Sequence, residues 1–176
     1  MRFLPVYLLL ALFAPAMPAF AEYGDALAPL LEGEFALQQG QHDSAAQAYV
    51  RAAEQSGDPA VAERAVQVAL AARDAAKVRQ ALARWQALAG ALPAQDAAWL
   101  RLALLESDDA AARTVLARLM QREEGWRQVA AALASSQEPE RASRLLGELL
   151  QQRQLPQLMD AWLAFGGVAL RLKDDS

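Results

Sequence analysis

Few side chains in this sequence can do covalent or metal chemistry, and their spacing excludes most of it. Cysteine is absent, so thiolate catalysis, disulfides, zinc–thiolate sites and a lipidated cysteine are closed to the chain. The single histidine, His42, cannot build a multi-histidine metal centre and reads as a packing or surface group just before a helix. Ser44, Ser56 and Ser107 stand at expected helix boundaries, where a hydroxyl caps or turns the backbone. No Gly-x-Ser-x-Gly elbow, phosphate loop or Gly-x-Gly-x-x-Gly occurs. The carboxylate pairs Asp108–Asp109, Glu123–Glu124 and Asp174–Asp175 are adjacent in sequence, so their members point in different directions on a helix. They read as helix-dipole and solvation groups, not as a general acid and base. A net charge of −4 argues against nucleic acid, which needs a basic face. The expectation is no catalytic residue, no metal and no cofactor; what remains is a binding surface.

The elements that would position such a surface are helices. Of 176 residues, 42 are Ala and 29 are Leu, against 9 Val, 1 Thr and no Ile. A pleated sheet needs β-branched residues to pack its faces, so the composition predicts an all-α fold. Helix-start chemistry recurs along the chain. Asp58-Pro59 sets a capping carboxylate before a proline suited to the first helical position, and Glu138-Pro139 and Leu155-Pro156 repeat the proline device. Asp25, Asp43-Ser44, Asp74 and Ser107-Asp108 are further caps. The signals predict helices over 26–39, 44–55, 59–72, 75–90, 95–106, 109–122, 125–135, 139–152 and 156–172, joined closely enough to be antiparallel neighbours.

The first residues read differently. Arg2 and the apolar run Phe3–Ala14 precede Pro15, Pro18 and the triplet Ala19-Phe20-Ala21, the form of a secretory signal cut between Ala21 and Glu22. As a helix that run spans about 18 Å, short of the roughly 30 Å hydrocarbon core, which disfavours a retained anchor. The expectation is a signal peptide over 1–21 and an exported, periplasmic chain over 22–176 with no membrane span.

The helices also repeat. The second helix of each pair carries Ala45-x3-Tyr49-x2-Ala52, Ala81-x3-Trp85-x2-Leu88, Ala112-x3-Leu116-x2-Leu119 and Ala142-x3-Leu146-x2-Leu149, with the alanines 36, 31 and 30 residues apart. Twelve residues upstream, the first helices hold Gly33, Ala69, Leu100 and Ala130. Trp126-x2-Val129-Ala130-x2-Leu133 and Trp162-x2-Phe165-Gly166-x2-Ala169 share one outline, and Gly166-Gly167 reads as a close helix contact. Small residues let paired helices approach, while large ones fill the gap to the next pair.

This pattern resembles the tetratricopeptide repeat, W-x2-L-G-x2-Y followed by A-x3-F and P, with Pro93 at the proline spacing after Trp85. It departs at Leu100, which replaces the small residue, and in two shortened units. The segment Leu31–Leu70, with Ala36-Leu37-Gln38-Gln39-Gly40-Gln41 and Asp58-Pro59-Ala60-Val61-Ala62-Glu63-Arg64-Ala65, is similar to the opening repeats of exported tetratricopeptide proteins of Gram-negative bacteria. The resemblance implies a right-handed α-solenoid of about four and a half repeats that acts as a non-catalytic adaptor. Its partner would be a protein or peptide, such as a periplasmic protease or its client, with any outer-membrane association made through that partner. First-helix register places Glu34, Gln38, Glu63, Gln67, Arg101 and Arg127 along a groove suited to an extended peptide, with acidic groups early and basic groups late. Other readings are the helical scaffold of a cell-wall enzyme such as a lytic transglycosylase, and a self-associating module. Lys173-Asp174-Asp175-Ser176 reads as a turn into a missing helix, so the array is expected to be incomplete at its C-terminus, its apolar last helix free to form a homodimer.

The signal reading has a direct check. Mass spectrometry of the protein expressed with its own N-terminus in a Gram-negative host should find Glu22 first; an intact Met1 contradicts it.

Overall fold

The computed structural model describes residues 24–153 and 155–174. The signal reading over 1–21, with its cut at Ala21/Glu22, lies outside the described residues. Among these the chain is all-helical: α1 (Gly24–Gln38), α2 (His42–Gln55), α3 (Pro59–Ala72), α4 (Ala75–Ala89), α5 (Pro93–Leu105), α6 (Asp109–Met120), α7 (Gly125–Ala134), α8 (Pro139–Gln151) and α9 (Met159–Asp174). None of them is long and apolar enough to cross a membrane.

The caps explain most of the boundaries. Asp58 accepts from the Ala60 amide at 2.8 Å, Asp74 from Lys77 at 3.0 Å and Asp108 from Ala111 at 2.9 Å, each satisfying an amide that the first helical turn leaves open. Pro59, Pro93 and Pro139 stand at the starts of their helices, where the missing N–H costs nothing. Five expectations need correction. Asp25 lies inside the first turn of α1, and Asp43-Ser44 inside that of α2, which already begins at His42. Helix α5 begins at Pro93 instead of 95, because the buried Gln95 side chain accepts from the Leu92 amide at 3.2 Å and donates to the Gly90 carbonyl at 3.0 Å. Pro156 does not start α9: Leu155 is buried in the preceding bend, and the helix opens at Met159. At the other end α9 continues through Asp174, so Lys173-Asp174 is helix and not a turn; Asp175 and Ser176 lie outside the described residues.

Consecutive helices pack on one another from α1 to α4, α5 on α4 and α6, α7 on α6 and α8, and α9 on α8. Contacts also skip one helix: α2 with α4, α3 with α5, α5 with α7, and α7 with α9. Most of the pattern positions are buried, although Trp162, Gly166 and Ala169 of the last outline are exposed and Leu88 is half-buried. Ala45, Ala69, Ala81, Leu100, Ala112 and Ala142 are all buried to within 1% of complete, and Tyr49, Trp85, Leu116 and Leu146 lie buried beside them. At Gly33 the reason for a small residue is visible, since a Cβ there would stand 2.7 Å from the Tyr49 ring. Gly166 and Gly167 behave differently: they are exposed, and a Cβ at either meets nothing within 4 Å. Among the described residues the expected close contact at that pair is absent.

Two hydrophobic cores result. One gathers α1 to α4 with Ala98 and Leu102 of α5; the other gathers α6 to α9 with Leu100, Ala103 and Leu104 of the same helix. Trp99 packs against both. Polar bridges cross the cores' edges. Arg84 of α4 donates to the Ala53 and Ser56 carbonyls at 2.9 and 2.7 Å, closing the C-terminal end of α2, and Arg113 of α6 forks onto Glu148 of α8 at 2.7 and 2.9 Å.

The glycines separate crowding from helix propensity. Gly33→Ala must displace the Tyr49 ring, and Gly125→Ala collides with the Leu119 backbone carbonyl, so each should destabilise by about 1–3 kcal/mol. Gly147→Ala, inside α8 with open space around it, should stabilise by up to about 1 kcal/mol. Urea unfolding of the three variants checks the signs; a stabilising Gly33→Ala would contradict the helix pairing.

Candidate functional site

The first-helix residues expected to share a groove separate into two groups. Glu34 is occupied: its carboxylate accepts from the Tyr49 hydroxyl and lies 3.8 Å from Arg64, whose guanidinium stands 5.6 Å over the Tyr49 ring. Arg127 is occupied as well, 3.3 Å from Glu124 and stacked at 5.0 Å on Trp126. Gln38 is exposed and Glu63 half-buried, and neither lines a cavity described below. Gln67 and Arg101 do come together.

They line a cavity of about 620 Å³ between the end of α3, the C-terminal end of α5 and the α7–α8 turn. Leu70, Leu104 and Leu105 give it an apolar floor, and Ser135, Ser136 and Gln137 supply hydroxyl and amide groups from the turn. Its cations are Arg73 and Arg101, both exposed, and among the described residues neither forms an ion pair. The acid beside them is already committed: Glu138 pairs with Arg141 at 3.1 Å and accepts from Ser107 at 2.7 Å. Arg73 was not anticipated from sequence. It sits in the left-handed backbone region, φ 60°, at the end of α3, which turns its side chain away from the helix face that register arguments use. A second cavity of about 600 Å³ adjoins through Ala71 and Arg73 and is lined by Gly40, Gln41, His42, Asp43 and Ser44. His42 is therefore an exposed surface group, and Arg73 stands where the two cavities meet.

A third cavity, about 660 Å³, lies on the opposite face of α5, against α4 and α6. Its floor is Trp99, Leu102 and Val115, and its charges are consumed internally. Asp96, with a side chain 8% exposed, holds Arg118 at 2.7 Å and Arg122 at 2.6 Å, while Arg79 pairs with Glu106. Arg122 also donates to the Pro93 carbonyl at 3.0 Å, so this cluster ties α5 to the end of α6.

The serines and acids behave as boundary groups. Ser56 is buried and its hydroxyl accepts from the Asp58 amide at 3.0 Å. Asp109 sits among Arg141, Arg113 and Arg144 at 3.3, 3.9 and 3.7 Å. Among the described residues no cluster of three or more His, Asp or Glu is placed to hold a metal. Burial, then the Glu34 carboxylate, pushes the Tyr49 phenol above its ordinary pKa. The hydrogen bond from Lys77 holds the Asp74 carboxyl below the usual range, and that from Arg113 does the same for Glu148.

No family model matches the chain, and no curated protein and no solved structure matches it.

These shifts set the pH behaviour. A carboxyl whose folded pKa is depressed contributes stability above its unfolded pKa and loses it as pH falls through the folded value. The Asp74 and Glu148 contributions should thus be complete at neutral pH and fade below about pH 4. The raised Tyr49 phenol has the opposite sense: its contribution is full below about pH 10 and is lost on further alkalinisation. Chemical unfolding across pH should show a shallower acid limb in Glu148→Gln and a shallower alkaline limb in Tyr49→Phe. An alkaline limb unchanged in Tyr49→Phe contradicts the buried-phenol assignment.

Proposed function

We propose that the chain is a non-catalytic, tetratricopeptide-like stack of helix pairs, exported to the periplasm, that binds an extended acidic segment of a protein partner. The observation that carries this reading is the pair of guanidiniums, Arg73 and Arg101, which form no ion pair among the described residues and stand over a leucine floor in one groove. Leucines and exposed cations in one groove favour a ligand that alternates apolar and acidic side chains, as an extended strand does. Hydroxyl and amide groups at Ser135, Ser136, Gln137 and Gln67 suit the peptide backbone.

The stack itself is supported by the spacing of the tertiary bridges. Arg84 to Ala53 spans 31 residues, Ser107 to Glu138 spans 31, Arg122 to Pro93 spans 29 and Arg113 to Glu148 spans 35. These separations fall near the 30 to 36 residues between the alanines of the repeat pattern, while other bridges are shorter, 27 for Arg79 to Glu106 and 26 for Gln80 to Glu54. Contacts that recur one unit apart are what a one-dimensional stack of like units makes. The adjoining cavity at Gly40–Ser44 extends the groove along the same edge, giving an extended segment room beyond the two arginines. A protease that the adaptor serves, or the client of one, is a partner of this chemistry.

Fluorescence anisotropy with a labelled peptide of alternating leucine and glutamate tests the groove. An exposed ion pair is worth about 0.2–1 kcal/mol, so Arg73→Glu with Arg101→Glu should weaken binding by about 5- to 30-fold at low salt, repulsion included. Arg127→Glu should leave affinity unchanged, because Arg127 lies outside the groove against Trp126. Equal affinity of the wild type and the Arg73/Arg101 double variant would overturn the proposal.

A further inference from the structure

Helix α9 is apolar on two opposite sides, and among the described residues one of them is packed and the other is left exposed. Ala161, Phe165, Val168 and Leu172 are buried against the second core. The residues diametrically across the helix are Met159, Leu163, Gly166 and Leu170. Met159 is 75% exposed, Leu163 67% and Leu170 68%, with Trp162 and Leu158 half-exposed alongside. The spacing of this outer stripe, four, three and four residues, is that of a helix–helix seam, whereas a surface helix is polar on its outer face.

The glycines make the same point from another direction. Gly166 and Gly167 sit in the middle of α9 with no neighbour within 4 Å, where alanine would favour the helix. Among the described residues nothing crowds them. A helix laid across the outer face would, as the Tyr49 ring crowds Gly33 in the first pair.

We infer that two copies of this chain pair through the outer stripes of α9, antiparallel and related by a two-fold axis. The stripe is self-complementary only in that sense. With Met159 opposite Leu170 of the partner subunit, Leu163 falls opposite the partner's Gly166, so each large side chain meets a gap. Charge agrees with shape. Asp160 and Arg171 lie on the same flank of α9, near its two ends. An antiparallel two-fold keeps that flank on one side of the seam and brings Asp160 within a turn of the partner's Arg171, twice over, while a parallel two-fold puts the charged flank of one helix against the Trp162 flank of the other and makes no such pairing. Trp162 covers the other flank of the seam. This surface is separate from the Arg73–Arg101 groove, so pairing leaves the groove open and presents two per assembly.

Light scattering across a dilution series, on the purified protein in the processed form its host yields, tests the pairing. The expected result is twice the chain mass at high concentration and single-chain mass on dilution. Leu163→Glu, at an exposed position, should give single-chain mass throughout with unchanged helical circular dichroism, and Leu170→Glu should repeat it. The charge swap reports the direction of pairing. Asp160→Arg and Arg171→Asp should each pair more weakly than wild type alone, and mixing them should restore pairing, read as a heterodimer by native mass spectrometry. A concentration-independent single chain overturns the inference. So does an assembly larger than two, a pair that survives Leu163→Glu, or swapped chains that pair no better mixed than apart.

Discussion

The structure depends on α5 burying both of its sides. Ala98 and Leu102 close the core of the first four helices, Leu100, Ala103 and Leu104 close the core of the last four, and Trp99 belongs to both. Few polar groups remain on it, and each has a defined setting. Gln95 pins the preceding turn and Asp96 holds Arg118 and Arg122, while Arg101 alone faces the groove. A helix that is apolar on nearly every side is stable only when covered on nearly every side. Its two neighbourhoods are therefore held together by one element, and the groove on one face and the Asp96 cluster on the other are consequences of that position.

The core is also unusually dependent on close approach. Alanine contributes little apolar area, so a core in which most crossing positions are alanine gains its stability from backbones that come near each other and from the few large residues between them. Tyr49, Trp85, Trp126 and Phe165 are the largest of those residues, half-buried Trp99 lies between the two cores, and leucines fill much of the second core. Leu100, which stands where the pattern has a small residue, lies on α5, and cavities lie on two faces of that same helix.

Much of the fold was legible in the sequence. The absence of isoleucine and the recurring Asp and Asp-Pro starts specify an all-helical chain, and Asp58, Asp74 and Asp108 cap as their chemistry requires. The shared register of Gly33 with Tyr49, and of Ala45, Ala81, Ala112 and Ala142, correctly marked buried crossings. What failed had local causes. Pro156 looked like a helix start, but burial of Leu155 holds that segment in a bend. Helical register puts all six groove candidates on first-helix faces; Gln67 and Arg101 line one cavity, while Glu34 and Arg127 are consumed by Tyr49 and Trp126, which register does not encode. Arg73 was missed because its direction comes from a left-handed backbone residue at a helix end, which periodicity does not encode. Gly125 was missed for a similar reason: its necessity comes from the Leu119 carbonyl across a turn.

Native-state hydrogen exchange is the most direct measurement of the central claim, that α5 couples the two cores. Leu102→Ala opens a cavity in the first core only, and Leu100→Ala in the second only. If the shared helix makes the chain one cooperative unit, each substitution should lower the protection of the most stable amides in α2–α4 and in α6–α8 alike, by about 2–5 kcal/mol. Loss confined to the half in which the leucine sits would contradict the claim.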